Sequence, residues 1–209
     1  MIKNIIFDFD GVILDSVPVK TEAFRRLFDA FDNKLVEQLI EYHLENGGKS
    51  RYLKIEYFFV EILNKSISQE EILKYANKYS EITKEELSNS KYLIQEVLNF
   101  IKNNHKKYNM HVASGADEED LLYICEQLNI NQYFLSIYGS PAVKNQIVSN
   151  LLLENQYDTN ETILIGDSKN DYDAAYENGI NFYGYNNKNI SNIINTNYIE
   201  SFTAFEKSL

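Results

Sequence analysis

From about residue 90 onward the chain alternates between helix-like and strand-like patterns, and this rhythm narrows the possible folds more than any other feature. A helix around 91–104 leads into a strand at Met110–Ser114, and a helix over Asp117–Gln127 precedes a strand at Phe134–Tyr138. A helix near 143–154 then precedes a strand at Glu161–Ile165. A last pair follows, a helix over 171–177 with Gly179 suited to its C-terminal cap, then a strand at Ile180–Tyr183. Strands separated by such helices join through right-handed crossovers into a parallel sheet covered on both faces. Residues 2–8, apolar and rich in Ile, add one more strand. Tyr185–Asn197 reads as polar loop and 201–207 as a short closing helix.

Between the first strand and residue 90 no strand pattern appears. Val17, Ala23, Phe24, Leu27, Phe28 and Phe31 recur mostly at helical intervals, and Leu35, Leu39, Tyr42 and Leu44 mark a second helix that Gly47–Gly48 ends. Tyr52, Ile55, Phe58, Phe59 and Ile62 mark a third, and Ser68 with Glu71 forms a capping box that opens a fourth through Ile72, Tyr75 and Tyr79. The expected architecture is α/β, a Rossmann-like core with a central parallel sheet flanked by helices, formed by residues 1–15 and 90–209. Residues 16–89 form a small inserted all-helical domain.

Composition sets outer limits. A chain of 209 residues with 44% hydrophobic residues has material for a sizeable core, which excludes general disorder. A formal charge of −11 disfavours nucleic acid and anionic membrane as partners, and it requires local cations or a metal to draw in an anionic substrate. The only cysteine, Cys125, lies in a helical segment and reads as a core thiol, which fits a reducing compartment. The apolar run before Asp8 is too short for a signal peptide or a membrane span. A cytoplasmic monomer or small homo-oligomer is expected.

The chemistry begins where Ile5-Ile6-Phe7 gives out into Asp8-Phe9-Asp10-Gly11. Side chains two apart in a strand share a face, and like charges gathered at the end of an apolar strand repel and resist desolvation. A metal ion or a shared chemical task offsets that cost. In a parallel sheet, sites form beyond the carboxyl ends of the strands. Asp8, Ser114 and Asp167 each end or follow a strand pattern, and Gly139-Ser140-Pro141 follows another, with Lys144 just beyond. Asp167 and Asp171, four apart across a strand end and a helix start, join Asp8 as three hard oxygen ligands, with the Asp10 carbonyl available as another. Such a set suits Mg²⁺ rather than zinc. Ser114 and the Gly115 amide stand at a helix start able to hold phosphate oxygens, and Lys144 brings a positive charge to the same edge.

These motifs resemble, in order, the signatures of the haloacid dehalogenase-like hydrolases: Asp8-Phe9-Asp10-Gly11-Val12, then Ser114, then Lys144 within Gly139–Lys144, then Gly166-Asp167-Ser168-Lys169-Asn170-Asp171. Asp173-Ala174-Ala175 and Gly179 are similar to the phosphoglycolate phosphatase and β-phosphoglucomutase-like branch, whose cap domain the helical block resembles. The resemblance implies that Asp8 is the nucleophile and Asp10 the general acid and base of a magnesium-dependent phosphomonoester hydrolase. An aspartyl-phosphate would form on Asp8. Ser114, Lys144 and the amides of Phe9 and Gly115 would steady the phosphoryl oxygens, and Asp8, Asp10, Asp167 and Asp171 would hold the metal. A phosphosugar mutase and a non-catalytic phosphate-ligand binding protein share the scaffold as alternatives. Dehalogenation is disfavoured by Asp10, and a phosphonate hydrolase would need a cap lysine, for which Lys20, Lys49 and Lys54 qualify by position alone. Arg51, in Gly47-Gly48-Lys49-Ser50-Arg51 between two cap helices, is the candidate substrate contact, with His43 and Lys20 as further cleft residues. A small phosphorylated metabolite is the expected substrate.

Overall fold

The computed structural model describes residues 1–193 and 197–209. Its sheet has six strands in the order β3-β2-β1-β4-β5-β6, and every pairing is parallel. The strands are β1 (Asn4–Phe7), β2 (Asn109–Asp117), β3 (Ser136–Ser140), β4 (Thr162–Gly166), β5 (Asn181–Tyr185) and β6 (Asn197–Ile199). The chain builds outward from β1 to β3, returns to β4 on the other side of β1, and builds outward again. The strand order therefore reverses beside β1, the place where a doubly wound sheet opens a crevice.

Burial follows from the pleat. Ile5 and Phe7 of β1 enter the apolar cluster on one face of the sheet, and Ile6 enters the cluster on the other. All four residues of β1 and all five of β4 are buried, as expected for strands covered by helices on both faces. Those helices are α5 (Gln95–Asn104), α6 (Glu118–Gln127), α7 (Lys144–Glu154), α8 (Lys169–Glu177) and α10 (Phe202–Ser208).

The loop expected over 185–197 needs correction. Within it lie α9 (Lys188–Ile193) and the start of β6, whose Asn197 and Ile199 stand opposite Tyr183 and Tyr185 of β5. Residues 194–196 of the expected loop lie outside the described residues. A three-residue edge strand between polar neighbours is too short to show a period, and only Ile199 of the three is buried.

The inserted helices are α1 (Val17–Leu27), α2 (Asn33–Glu45), α3 (Arg51–Tyr57) and α4 (Gln69–Leu87). A π-helical turn over Phe58–Ile62 prolongs α3, and the Ser68–Glu71 capping box opens α4. These helices pack around an apolar cluster of their own. At its centre the Phe28 ring lies 4.3 Å from Phe58 and 5.3 Å from Tyr75 between centroids. The two linkers that join this cap to the sheet are stitched to each other. Leu14 pairs with Leu93, the Asp15 amide donates to the Tyr92 carbonyl at 2.8 Å, and the Ile94 amide donates to the Ile13 carbonyl at 3.0 Å. Among the described residues, no helix is long and apolar enough to cross a membrane.

Candidate active site

Asp8 leaves the carboxyl end of β1, Asp167 that of its neighbour β4, and Asp171 stands in the first turn of α8. One carboxylate oxygen from each lies within 4.8 Å of the others. Two backbone features make this possible. Gly11 has φ +77°, and a Cβ there would fall 2.1 Å from Asp167 Oδ2, so only glycine admits the Asp167 carboxylate at this point. Ser168 and Asp171 form a capping box, in which Asp171 Oδ2 accepts from the Ser168 amide at 2.9 Å and its hydroxyl at 2.6 Å. The cap fixes the Asp171 side chain, and its other oxygen accepts from Lys144.

Lys144, at the start of α7, is buried and also forms an ion pair with Asp8 at 2.8 Å. Burial pushes its ammonium down, but the charges of Asp171 and Asp8 outweigh this and hold it above the usual lysine range. Two carboxylates likewise have their proton affinity raised. Burial and the neighbouring charge of Asp171 push Asp8 up to about 7, against the pull of Lys144. Burial, with the charges of Asp8 and Asp171, also raises Asp167 well above the carboxylate range. One buried lysine does not balance three crowded carboxylates. The donors are all oxygen and lack positive charge, so the residues fit a hard divalent cation such as Mg²⁺.

The other expected residues fall into distinct places. Asp10 lines the cleft between cap and sheet, where the Ser16 hydroxyl and the Lys20 ammonium each donate to it at 2.5 Å. Burial raises Asp10, but Lys20 and Ser16 prevail and hold it below the usual carboxylate range. The Phe9 amide donates to Asp8 Oδ1 at 2.7 Å. Ser114 is fully buried near the end of β2, and its Oγ accepts from the Ala116 amide at 3.0 Å. Gly115 lies against the cap: a Cβ there would sit 2.1 Å from the Gly48 carbonyl oxygen.

Arg51 lines the cleft, but its guanidinium is already engaged, by α4 of the cap and by the start of α6. It donates to Asp120 at 2.7 Å and Ser80 at 2.5 Å, and lies 3.4 Å from Asp117. Tyr52 donates to Asp117 at 2.5 Å beside it. In this arrangement Arg51 clasps the cap to α6. Burial raises Asp120, yet Arg51 and Ser80 hold it below its ordinary range, so its contribution to stability is present at neutral pH and lost as the pH falls through that lowered value. Arg51→Ala should cost about 1–3 kcal/mol in urea denaturation at pH 7, since Lys84 at 3.1 Å keeps Asp120 partly paired. The difference from wild type should shrink in acid.

Four residues that hold the site were not singled out from the sequence. Ser16 steadies Asp10, and Ser168 steadies Asp171. Asn186 donates to the Gly11 carbonyl at 2.9 Å, and Asn187 to the Asp167 carbonyl at 2.8 Å. Both asparagines follow β5, so the strand-end rule pointed to them, but the Asn-rich composition of that stretch concealed the signal. Cys125, by contrast, is the core thiol expected, pushed up to about 12 by burial.

A crevice where strand order reverses, with carboxylates and a buried lysine converging on it beneath a helical cap, defines an α/β protein whose buried carboxylate cluster suits a metal ion. More narrowly, the chain matches the haloacid dehalogenase-like hydrolases over residues 5–185 and belongs to that family. It is 26% identical over 183 residues to a phosphorylated carbohydrates phosphatase of Thermotoga maritima, covering 85% of this chain and 82% of that one. It is 28% identical over 198 residues to a phosphoglycolate phosphatase of Vibrio parahaemolyticus, covering 88% and 86%. Among solved structures it is similar to a β-phosphoglucomutase from Clostridium difficile, with a TM-score of 0.77 at 20% identity over 97% of this chain and 92% of that one.

Proposed function

We propose that the protein is a magnesium-dependent phosphomonoester hydrolase that acts on a small phosphorylated metabolite through an aspartyl-phosphate at Asp8, with residues 16–89 as its cap. The observation that carries this reading is the meeting of Asp8, Asp167 and Asp171, remote in sequence, with the buried Lys144 between Asp8 and Asp171. The two relatives named as phosphatases of small phosphorylated compounds support it.

Asp8, Asp167 and Asp171, with the Asp10 carbonyl, would hold Mg²⁺. When bound, the cation supplies charge neutralisation that lets a carboxylate approach an anionic phosphoryl group. Asp8 attacks phosphorus, the bond to the ester oxygen breaks, and Asp10 protonates the departing alkoxide. Asp10 then takes a proton from water as that water attacks phosphorus and the bond to Asp8 breaks. Lys144, Ser114 and the amides of Phe9 and Gly115 hold the equatorial oxygens. While Lys20 holds Asp10 below the carboxylate range, Asp10 is a base. Its acid role follows once the substrate displaces Lys20, which leaves the burial of Asp10 to raise its proton affinity.

Incubation with a panel of small phosphomonoesters should release phosphate with Mg²⁺ and not with chelator. Absence of magnesium-dependent release from every ester would refute the reading. Analysing the same mixtures for isomerised sugar phosphates separates hydrolysis from mutase activity.

Stability provides a second check. A carboxyl whose proton affinity is raised in the folded state weakens the fold as it ionises, so between about pH 4 and pH 7 the metal-free protein should lose stability as Asp8 deprotonates. Saturating Mg²⁺ should reverse this trend. A hundredfold excess over its Kd adds about 2.7 kcal/mol, or roughly 5–10 °C in Tm for a chain of this size. A Tm indifferent to Mg²⁺ at pH 7.5 would contradict the proposed cation site.

A further inference from the structure

Besides histidines, three basic side chains are buried among the described residues, Arg51, Lys54 and Lys144. Arg51 faces Asp117 and Asp120, and Lys144 faces Asp8 and Asp171. Lys54, on α3 and 3% exposed, has no carboxylate within ion-pair distance among the described residues. Its ammonium lies 2.9 Å from His43 Nδ1 and 3.4 Å from the Gly47 carbonyl. A buried cation is ordinarily paired, because leaving water costs several kcal/mol that an apolar residue would avoid. Lys54 departs from that rule at a place where it lines the cleft.

His43, 5% exposed, lines the same cleft. Burial and the charge of Lys54 hold it near a pKa of about 3, so it is neutral. With Nδ1 accepting from Lys54, the ring hydrogen resides on Nε2. That nitrogen is buried and has no hydrogen-bond partner. Lys54 and His43 thus present donors to the cleft, the His43 Nε2 hydrogen has no acceptor, and neither residue has an anionic partner among the described residues. The charged groups facing Lys54 do not supply one: Lys20 and Lys49 are cations, Asp10 is engaged by Lys20 and Ser16, and Asp167 belongs to the carboxylate cluster. Burial, reinforced by Lys20, pushes Lys54 down to about 7, the condition of an ammonium that lacks its counter-ion.

We infer that Lys54 and His43 bind a second anionic group of the substrate, a carboxylate or a further phosphoryl group, so that the enzyme prefers phosphorylated sugar acids or sugar bisphosphates to neutral sugar monophosphates. The inference rests on the phosphatase reading for where the first phosphoryl group sits. The cleft, about 690 Å³, has room for a substrate that spans both positions.

Matched ligands test it. In 6-phosphogluconate and glucitol 6-phosphate a carboxylate replaces a hydroxymethyl group on the same six-carbon chain, and fructose 1,6-bisphosphate and fructose 6-phosphate differ by one phosphoryl group. With Mg²⁺, kcat/KM should favour the doubly anionic member of at least one pair by about 10- to 100-fold, the worth of a buried charged hydrogen bond, and the responding pair identifies the group. Lys54→Met should erase that preference while Tm stays level or rises, because an unpaired buried charge is removed. Calorimetric binding to Asp8→Asn, with and without Lys54→Met, reads the same preference without turnover. If wild type releases phosphate but treats both members of each pair alike, the inference is overturned and the phosphatase reading stands. A fall in Tm with affinity lost equally for all four ligands also overturns it, by marking a structural lysine. If no ester is hydrolysed but binding still shows a Lys54-dependent preference, the phosphatase reading fails and the anion site remains.

Discussion

Asp8→Asn should lower turnover by at least about 10⁴-fold while leaving the fold intact, because it removes the atom that would form the covalent intermediate. Asparagine matches the shape of aspartate, and its carbonyl oxygen can still accept from the Phe9 amide. Metal-free stability should rise, since one of three mutually repelling carboxylates becomes neutral. The variant should also show a smaller Mg²⁺-dependent rise in Tm. Phosphate release and thermal melting, measured on one preparation, read both effects. Activity within tenfold of wild type would show that Asp8 is not the nucleophile.

Lys144→Met has the other large effect, with the opposite sign on stability. Methionine fills similar space but leaves Asp8, 4% exposed at its side chain, and the fully buried Asp171 without their shared cation. Removing one partner from a buried charge network costs about 3–5 kcal/mol, which urea denaturation without Mg²⁺ should reveal. Mg²⁺ should recover part of that loss, because the cation can replace the missing positive charge. It should not recover turnover, expected to fall by about 10²- to 10³-fold as a stabiliser of phosphoryl charge is lost. Equal stability of wild type and variant in the metal-free state would show that Lys144 does not balance the cluster.

The sheet was legible because each buried strand is short, apolar and followed by a polar residue at its carboxyl end. Asp8 and Asp167 announce β1 and β4 in this way, and the pleat then dictates their meeting, since those strands are neighbours. Asp171 was legible through its spacing, although its capping role and its place in the cluster turned out to be the same geometry. Arg51 was less so. A turn arginine between cap helices says nothing about which carboxylates the tertiary fold will bring to it, and Asp117 and Asp120 lie more than sixty residues away. β6 escaped because three edge residues carry no period. Lys54 and His43 are eleven apart on separate helices, so only the packing of α2 against α3 brings the pair together.

The stitched linkers have a mechanical consequence. Asp10 precedes the crossing of Leu14 with Leu93, whereas the groups that steady it, Ser16 and Lys20, follow it on the side of the inserted helices. Any pivot about that crossing carries the two donors along its arc and leaves the Asp10 carboxylate behind. Under the proposed mechanism, gating and proton transfer would thereby be interlocked: swinging the roof aside to admit a reactant would also part Asp10 from its counter-charge.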